Sequence, residues 1–191
     1  VVSAADAAAP VPAFEAFPSI SRLSRSCVIS EKIDGTNAQV FVGDDGLVIA
    51  GSRSRWITPE ADNMGFARWV AEHADELRTG LGPGRHFGEW WGSGIQRRYG
   101  LNEKRFSLFN AGRWSSERPA CCHIVPVLFA GIFTTDVVET ALQDLRTNGS
   151  RAAPGFMDPE GVVVYVAASK TLFKKTLKGD EHKGAKDGSA Q

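Results

Sequence analysis

Little in this chain points to an oxidising or a membrane setting. It has three cysteines, Cys27, Cys121 and Cys122, two of them adjacent. An odd count with one vicinal pair makes a poor disulfide framework and suggests a reducing, cytoplasmic compartment. Cys121-Cys122-His123 lacks the ligand spacing of a zinc site, and no second cluster stands elsewhere. These residues are expected to begin a buried strand. No apolar run reaches membrane-spanning length and no clear signal peptide is visible, so no membrane partner is expected. Net charge is missing too, since 22 Lys and Arg balance 22 Asp and Glu. That balance argues against tight non-specific binding to nucleic acid, but it leaves room for charge segregated by face.

What is present suits one globular domain. The chain has 191 residues, 42% hydrophobic and 23% charged, enough to bury a substantial core. Residues 1–18, rich in Ala and Pro, are expected to be partly ordered, and residues 19–178 to form the domain. Residues 179–191 are polar and read as a flexible tail.

Alternation over Ala38–Val42, a Gly43-Asp44-Asp45-Gly46 turn and the return over Leu47–Ala50 predict a hairpin. Asp62 or Asn63 is placed to cap one helix with Phe66, Trp69, Val70, Ala74 and Leu77 inward. Arg85–Trp91 and Arg105–Phe109 read as strands. His123–Ala130 is an apolar run in which Pro126 predicts an edge position or a bulge. Asp136, with Glu139 three residues on, opens a second helix that ends at Asn148-Gly149. Gly161–Val166 and Thr171–Lys175 form a last strand pair. Strands in hairpins with two inserted helices predict an α+β fold of antiparallel sheets.

The segment Glu31-Lys32-Ile33-Asp34-Gly35-Thr36-Asn37 carries the chemistry. A lysine set just before a glycine turn suits a nucleophile directed at phosphate. A free amine has a pKa of about 10.4, so it must be depressed by burial or by nearby cations. Gly35 permits a sharp turn and close approach to a ligand. Four segments follow in order: Ser52-Arg53-Ser54-Arg55, Gly88-Glu89-Trp90-Trp91-Gly92-Ser93-Gly94-Ile95-Gln96, Phe106-Ser107-Leu108-Phe109, and Glu160-Gly161-Val162-Val163 with Phe173-Lys174-Lys175-Thr176-Leu177.

This collinear set, over roughly Ser26 to Leu177, resembles the RNA ligase 2-like family within the lysine nucleotidyltransferases, which include DNA ligases and mRNA capping enzymes. The resemblance implies a nucleotidyltransferase (ATP-grasp-like) core of antiparallel sheets flanking a nucleotide cleft, with helices outside. It implies ATP and Mg²⁺ or Mn²⁺ as cofactors, and RNA ends, a 5′-phosphate and a 3′-hydroxyl, as partners. Lys32 would be the nucleophile that takes AMP. Lys174 would contact the α-phosphate and depress the Lys32 pKa by like-charge repulsion. Glu89 would accept from the ribose hydroxyls, Phe109 would stack on adenine, and the Glu31 backbone would read the adenine edge. Phe106 and Phe109 differ in parity, so only one of them faces the nucleotide. Glu160 would help to hold the metal, and Asp34 would orient the lysine or a metal-bound water. Asn37 would serve the later steps. Arg53 would contact the ribose or the nucleic-acid end, with Arg55 on the same side of a strand as an alternative. Apart from the resemblance, Arg97 and Arg98 beside Tyr99 form a basic pair next to an aromatic, which suits either a grip on a strand end or a solvated loop.

Two positions depart from the family pattern. Thr176 stands where a second lysine is usual, and strand parity turns Lys175 to the opposite face. Asn110 stands where an acid usually follows the aromatic. Too few residues follow Leu177 for an appended oligonucleotide-binding barrel, so a partner protein is expected to supply substrate binding. The alternatives are a DNA ligase or capping-type nucleotidyltransferase, and a nucleotide or RNA-end binding module that no longer seals.

Overall fold

The computed structural model describes residues 13–17, 19 and 25–178. The expected tail at 179–191 lies outside the described residues, as does most of the N-terminal segment. In chain order the strands are β1 (Ser26–Lys32), β2 (Thr36–Val42), β3 (Val48–Ser52), β4 (Trp56–Ile57), β5 (Gly84–Gly92), β6 (Lys104–Leu108), β7 (Cys122–Ile124), β8 (Val127–Ile132), β9 (Gly161–Val166) and β10 (Thr171–Thr176). The helices are α1 (Phe66–Glu72), α2 (Ala74–Leu81), α3 (Ala111–Trp114) and α4 (Thr135–Asn148). No helix among them is long and apolar enough to cross a membrane.

Two sheets result, one of four strands in the order β10-β9-β1-β8 and one of six in the order β4-β3-β2-β5-β6-β7. All neighbours are antiparallel except β6 and β7, which run parallel. That one pair departs from the antiparallel expectation. It arises where the chain returns from α3 to the edge of the larger sheet. The apolar run around Pro126 is two edge strands rather than one. β7 closes the six-stranded sheet, β8 closes the four-stranded one, and Val125-Pro126 carries the chain between them. The β1–β8 register also shifts at Ile29/Ser30. Proline lacks a donor, so it fits a crossing point of this kind.

Strand alternation sorts the residues. Ile29, Val162 and Val164 face α4, whose Val138, Ala141, Leu142 and Leu145 cover them. Ala38, Val40, Trp90, Phe106 and Leu108 face α1 and α2 with Phe66, Val70 and Leu77. Each such large apolar side chain contributes about 1.5–3 kcal/mol of burial. A smaller cluster of Ile33, Trp91, Tyr99, Val125 and Ala153 sits where the chain passes between the sheets.

The helices differ from expectation in their ends. The first is broken at His73, whose Nδ1 lies 2.8 Å from the Trp69 carbonyl oxygen. Its N-cap position is Gly65, which offers no side chain. Asp62 still serves the first turn from further out, accepting from the Ala67 N–H at 2.7 Å. α4 is capped by Thr134, which accepts from the Val137 N–H, so Asp136 lies in the first turn rather than at the cap. Cys122 begins β7 and is buried, Cys121 precedes it, and all three cysteines are free thiols.

Candidate active site

Lys32 is the last residue of β1. Register places it opposite Gly161, and Gly161 opposite Thr176, so the three share one row across β1, β9 and β10. Gly161 has no side chain, which leaves bare backbone between Lys32 and Thr176. The next row on the same face holds Ser30, Val163 and Lys174. Lys174 is exposed and stands on the side of Lys32. Lys175 points the other way, as alternation requires, and forms an ion pair with Glu139 of α4. Thr176 donates its hydroxyl to the Lys178 carbonyl at 2.9 Å.

Glu160 precedes β9, and its Oε2 lies 2.5 Å from Lys32 Nζ. The pair is half-buried, with side-chain exposures of 24% and 17%. Across the site Glu89 of β5 is buried. Its Oε1 accepts from the Gly35 N–H and its Oε2 from Asn37 Nδ2, both at 3.1 Å. Gly35 is required here by close approach rather than by a left-handed backbone. An added Cβ would lie 2.5 Å from the Trp90 carbonyl oxygen and 2.7 Å from Trp91 Cβ.

Burial pushes Glu89 up to about 7, against the Lys32 charge and the two hydrogen bonds, with the Glu160 charge adding to the rise. An unfolded glutamate ionises near pH 4.3. Between that value and about 7 the folded chain holds the extra proton, so stability falls as pH rises through this window. Glu89→Gln is expected to flatten that fall, by an amount on the order of 3–4 kcal/mol at most. Urea unfolding of both proteins at pH 5 and pH 8 checks it. Equal pH dependence in the two would remove Glu89 as the source.

Three expected site residues are engaged elsewhere. The Glu31 side chain points to the α4 side and is 1% exposed. It accepts from Ser150 Oγ at 2.6 Å and from the N–H groups of Arg151 and Ala152 at 2.8 and 2.9 Å. The Glu31 N–H is given to the Pro126 carbonyl, so it is not available to read adenine. Arg97 is not poised for a strand end. Its guanidinium binds Asp34 at 2.8 Å and both the carboxylate and the carbonyl of Asp158 at 3.0 Å. Asp34 therefore faces Arg97 and not Lys32. Its N–H also donates to the buried Tyr99 hydroxyl at 2.7 Å. Lys178 joins Asp158 at 2.6 Å. This network clamps the turn after Lys32 to the segment before Glu160. Nothing in the local sequence announced it, because its members lie in four separate segments.

The other positions fall as follows. Phe106 is fully buried and Phe109 is exposed, so of the two only Phe109 has its ring open to solvent. Phe109 borders a hollow of about 150 Å³ with Phe87, Asn110 and Arg113. Asn110 caps α3 by accepting from the Arg113 N–H at 3.2 Å, which gives the departure at this position a structural role. Arg53 and Arg55 are exposed in a turn closed by the Ser52 N–H to the Arg55 carbonyl at 2.8 Å. Strand alternation therefore does not place these two arginines on a common face. Arg98 is exposed at φ 59°.

A family model described as RNA ligase matches residues 25–178. Among solved structures the chain is similar to Naegleria gruberi RNA ligase with PPi, at 19% identity and a TM-score of 0.59, over 80% of this chain and 49% of that one. A mutant of that ligase with ATP and Mn gives 19% identity and a TM-score of 0.57, over 80% and 50%. A mutant with AMP and Mn gives 17% and 0.53, over 80% and 49%. The chain thus spans about half the length of that ligase, and at such identities the likeness is one of fold. Among curated proteins none matches. With both sheets and every residue of the Lys32 site inside the matched segment, this chain belongs to the RNA ligase family.

Proposed function

We propose that the chain is an ATP-dependent RNA ligase that works through AMP bound covalently to Lys32. The observation that carries this reading is Lys32 Nζ beside Glu160, in a strand row adjoining Lys174, with Glu89 buried across the site. In the first step neutral Nζ attacks the α-phosphorus of ATP. A nitrogen–phosphorus bond forms, the bond to the β-phosphate bridge breaks, and pyrophosphate leaves with its electron pair while Nζ loses a proton. A 5′-phosphate oxygen of RNA then attacks the same phosphorus and releases Lys32, which regains its proton. Finally a 3′-hydroxyl attacks the 5′-phosphate, loses its proton and displaces AMP.

An ammonium ion paired with Glu160 is not a nucleophile, so the pair must part before attack. Glu89 keeps a further lone pair on each oxygen for ribose hydroxyls. Phe109 offers a ring face to adenine, and Lys174 a charge to the α-phosphate. Asn37, bonded to Glu89, and the exposed Arg53 are assigned to the 3′-hydroxyl and its strand, and the exposed Arg55 and Arg98 to RNA phosphate. Among the described residues no group of three His, Cys, Asp or Glu converges to hold a metal. Glu160 together with triphosphate and water oxygens fits Mg²⁺ or Mn²⁺, which keep waters and bind beside phosphates. Held by Glu160, such an ion would supply positive charge to offset the triphosphate, and Glu160 would then be shared between it and Lys32. The cytoplasm and a partner protein that presents the RNA complete the reading.

Intact mass before and after incubation with ATP or GTP and Mg²⁺ tests it. The gain of one AMP, and none of GMP, is expected. Addition of 5′-phosphorylated RNA should then remove the AMP and yield sealed product. A stable GMP adduct instead would indicate a capping-type enzyme.

A further inference from the structure

The open face of the six-stranded sheet carries a second set of side chains that adenylyl transfer does not use. We propose that this face is a platform for single-stranded RNA, built on Trp56, Phe87 and Arg85. The proposal rests on the reading above that RNA is the substrate.

Register arranges the face in rows. One row holds Asn37, Glu89 and Ser107. The next holds Trp56, Gly51, Gln39 and Phe87, and continues to Phe109, whose N–H bonds the Phe87 carbonyl at 3.0 Å. The third holds Ile49, Phe41 and Arg85. Glu89 is the one carboxylate in these rows. The neutral chain has therefore set cations and rings here, with Arg53 and Arg55 in the adjoining β3–β4 turn.

The arrangement is built rather than incidental. At Gly51 an added Cβ would lie 2.7 Å from Gln39 Cγ and 3.0 Å from Trp56 Cε3. The absent side chain lets the indole lie across the strand. There its ring centroid is 6.0 Å from that of Phe41. The Arg85 guanidinium stands 5.0 Å from the Trp56 ring and 5.4 Å from the Phe41 ring, and it also donates to Gln39 Oε1 at 3.3 Å. Even so, Trp56 stays 44% exposed and Phe87 53%.

Flat apolar rings held beside cations on an open strand face match the chemistry of single-stranded nucleic acid. Bases stack on the rings while phosphates meet the arginines. Trp56 and Phe87 lie three strand spacings apart, about 14 Å. The platform is continuous with the Glu89 row, so a strand lying on it would deliver its end toward Lys32. A lipid or protein partner would give no reason for that continuity.

The test is fluorescence anisotropy with a labelled, 5′-phosphorylated single-stranded RNA, using the full chain and three variants. Trp56→Ala is expected to weaken binding by about tenfold or more, the scale of one lost base–aromatic contact. Trp56→Phe should recover most of it. Arg85→Gln should lower the slope of log affinity against log salt by about one. The AMP adduct, measured by mass on each variant, reports whether the fold and the Lys32 site survive. RNA binding that is equal in wild type and Trp56→Ala would overturn the platform. So would equal losses in Trp56→Ala and Trp56→Phe, which would mean a packing defect. A wild type that binds RNA through Trp56 yet never takes AMP would overturn the ligase reading and leave the platform standing.

Discussion

Replacement of Lys32 by alanine is expected to reduce the AMP adduct to background, a loss of at least about 10³-fold, as befits removal of a covalent nucleophile. The comparison with the two late lysines makes the prediction specific. Lys174 shares the face of Lys32, so Lys174→Ala should slow adduct formation by about 10²-fold, the scale of one lost donor at a developing charge. Lys175 stands on the other face, paired with Glu139, and Lys175→Ala should behave like wild type. Glu160→Ala frees Lys32 from its ion pair but also removes the carboxylate offered to a cation. It should therefore lower the adduct, and most severely at low Mg²⁺. Denaturing electrophoresis with ATP labelled at the α-phosphate reads all four variants. Label on Lys32→Ala would place the nucleophile elsewhere and end the proposed mechanism. A Lys175→Ala loss equal to that of Lys174→Ala would show that the β10 register is wrong.

The largest effect on stability is expected at Glu31. Alanine there strands the Ser150 hydroxyl and the N–H groups of Arg151 and Ala152, all now bonded to one carboxylate that is 1% exposed. Losing a buried charged acceptor with that many donors costs about 3–5 kcal/mol. For a domain of this size that is roughly a 10 °C fall in Tm. The urea midpoint should drop with little change in slope. Glu31→Gln keeps one acceptor oxygen and should lose less. Wild-type stability in Glu31→Ala would show that the carboxylate does not anchor the segment after α4.

The Glu31 result shows where local sequence stops informing. Next to a nucleophilic lysine in a motif, the Glu31 backbone reads as part of the site, while motif position says nothing of where its side chain goes. In a strand, neighbours face opposite ways, so the side chain beside Lys32 points into the α4 layer. Parity alone was enough to turn Lys175 away from the site and to separate Phe106 from Phe109. It was not enough for Arg53 and Arg55, because they sit in a turn where alternation does not apply. Arg97 misled for a different reason. A basic residue in a glycine-rich loop looks solvent-facing until the partners from distant segments, Asp34 and Asp158, are known to meet it.

By itself the sequence determined the order of the chemistry-bearing segments, the α+β class, the inward faces of the helices and the neutral overall charge. Each of these is written in local periodicity and residue type. Only tertiary structure decided that Glu160 reaches Lys32, that Asp34 and Arg97 satisfy each other, and that Trp56, Phe87 and Arg85 gather on one open sheet face. Those contacts join residues far apart in the chain, and strand register rather than local preference brings them together.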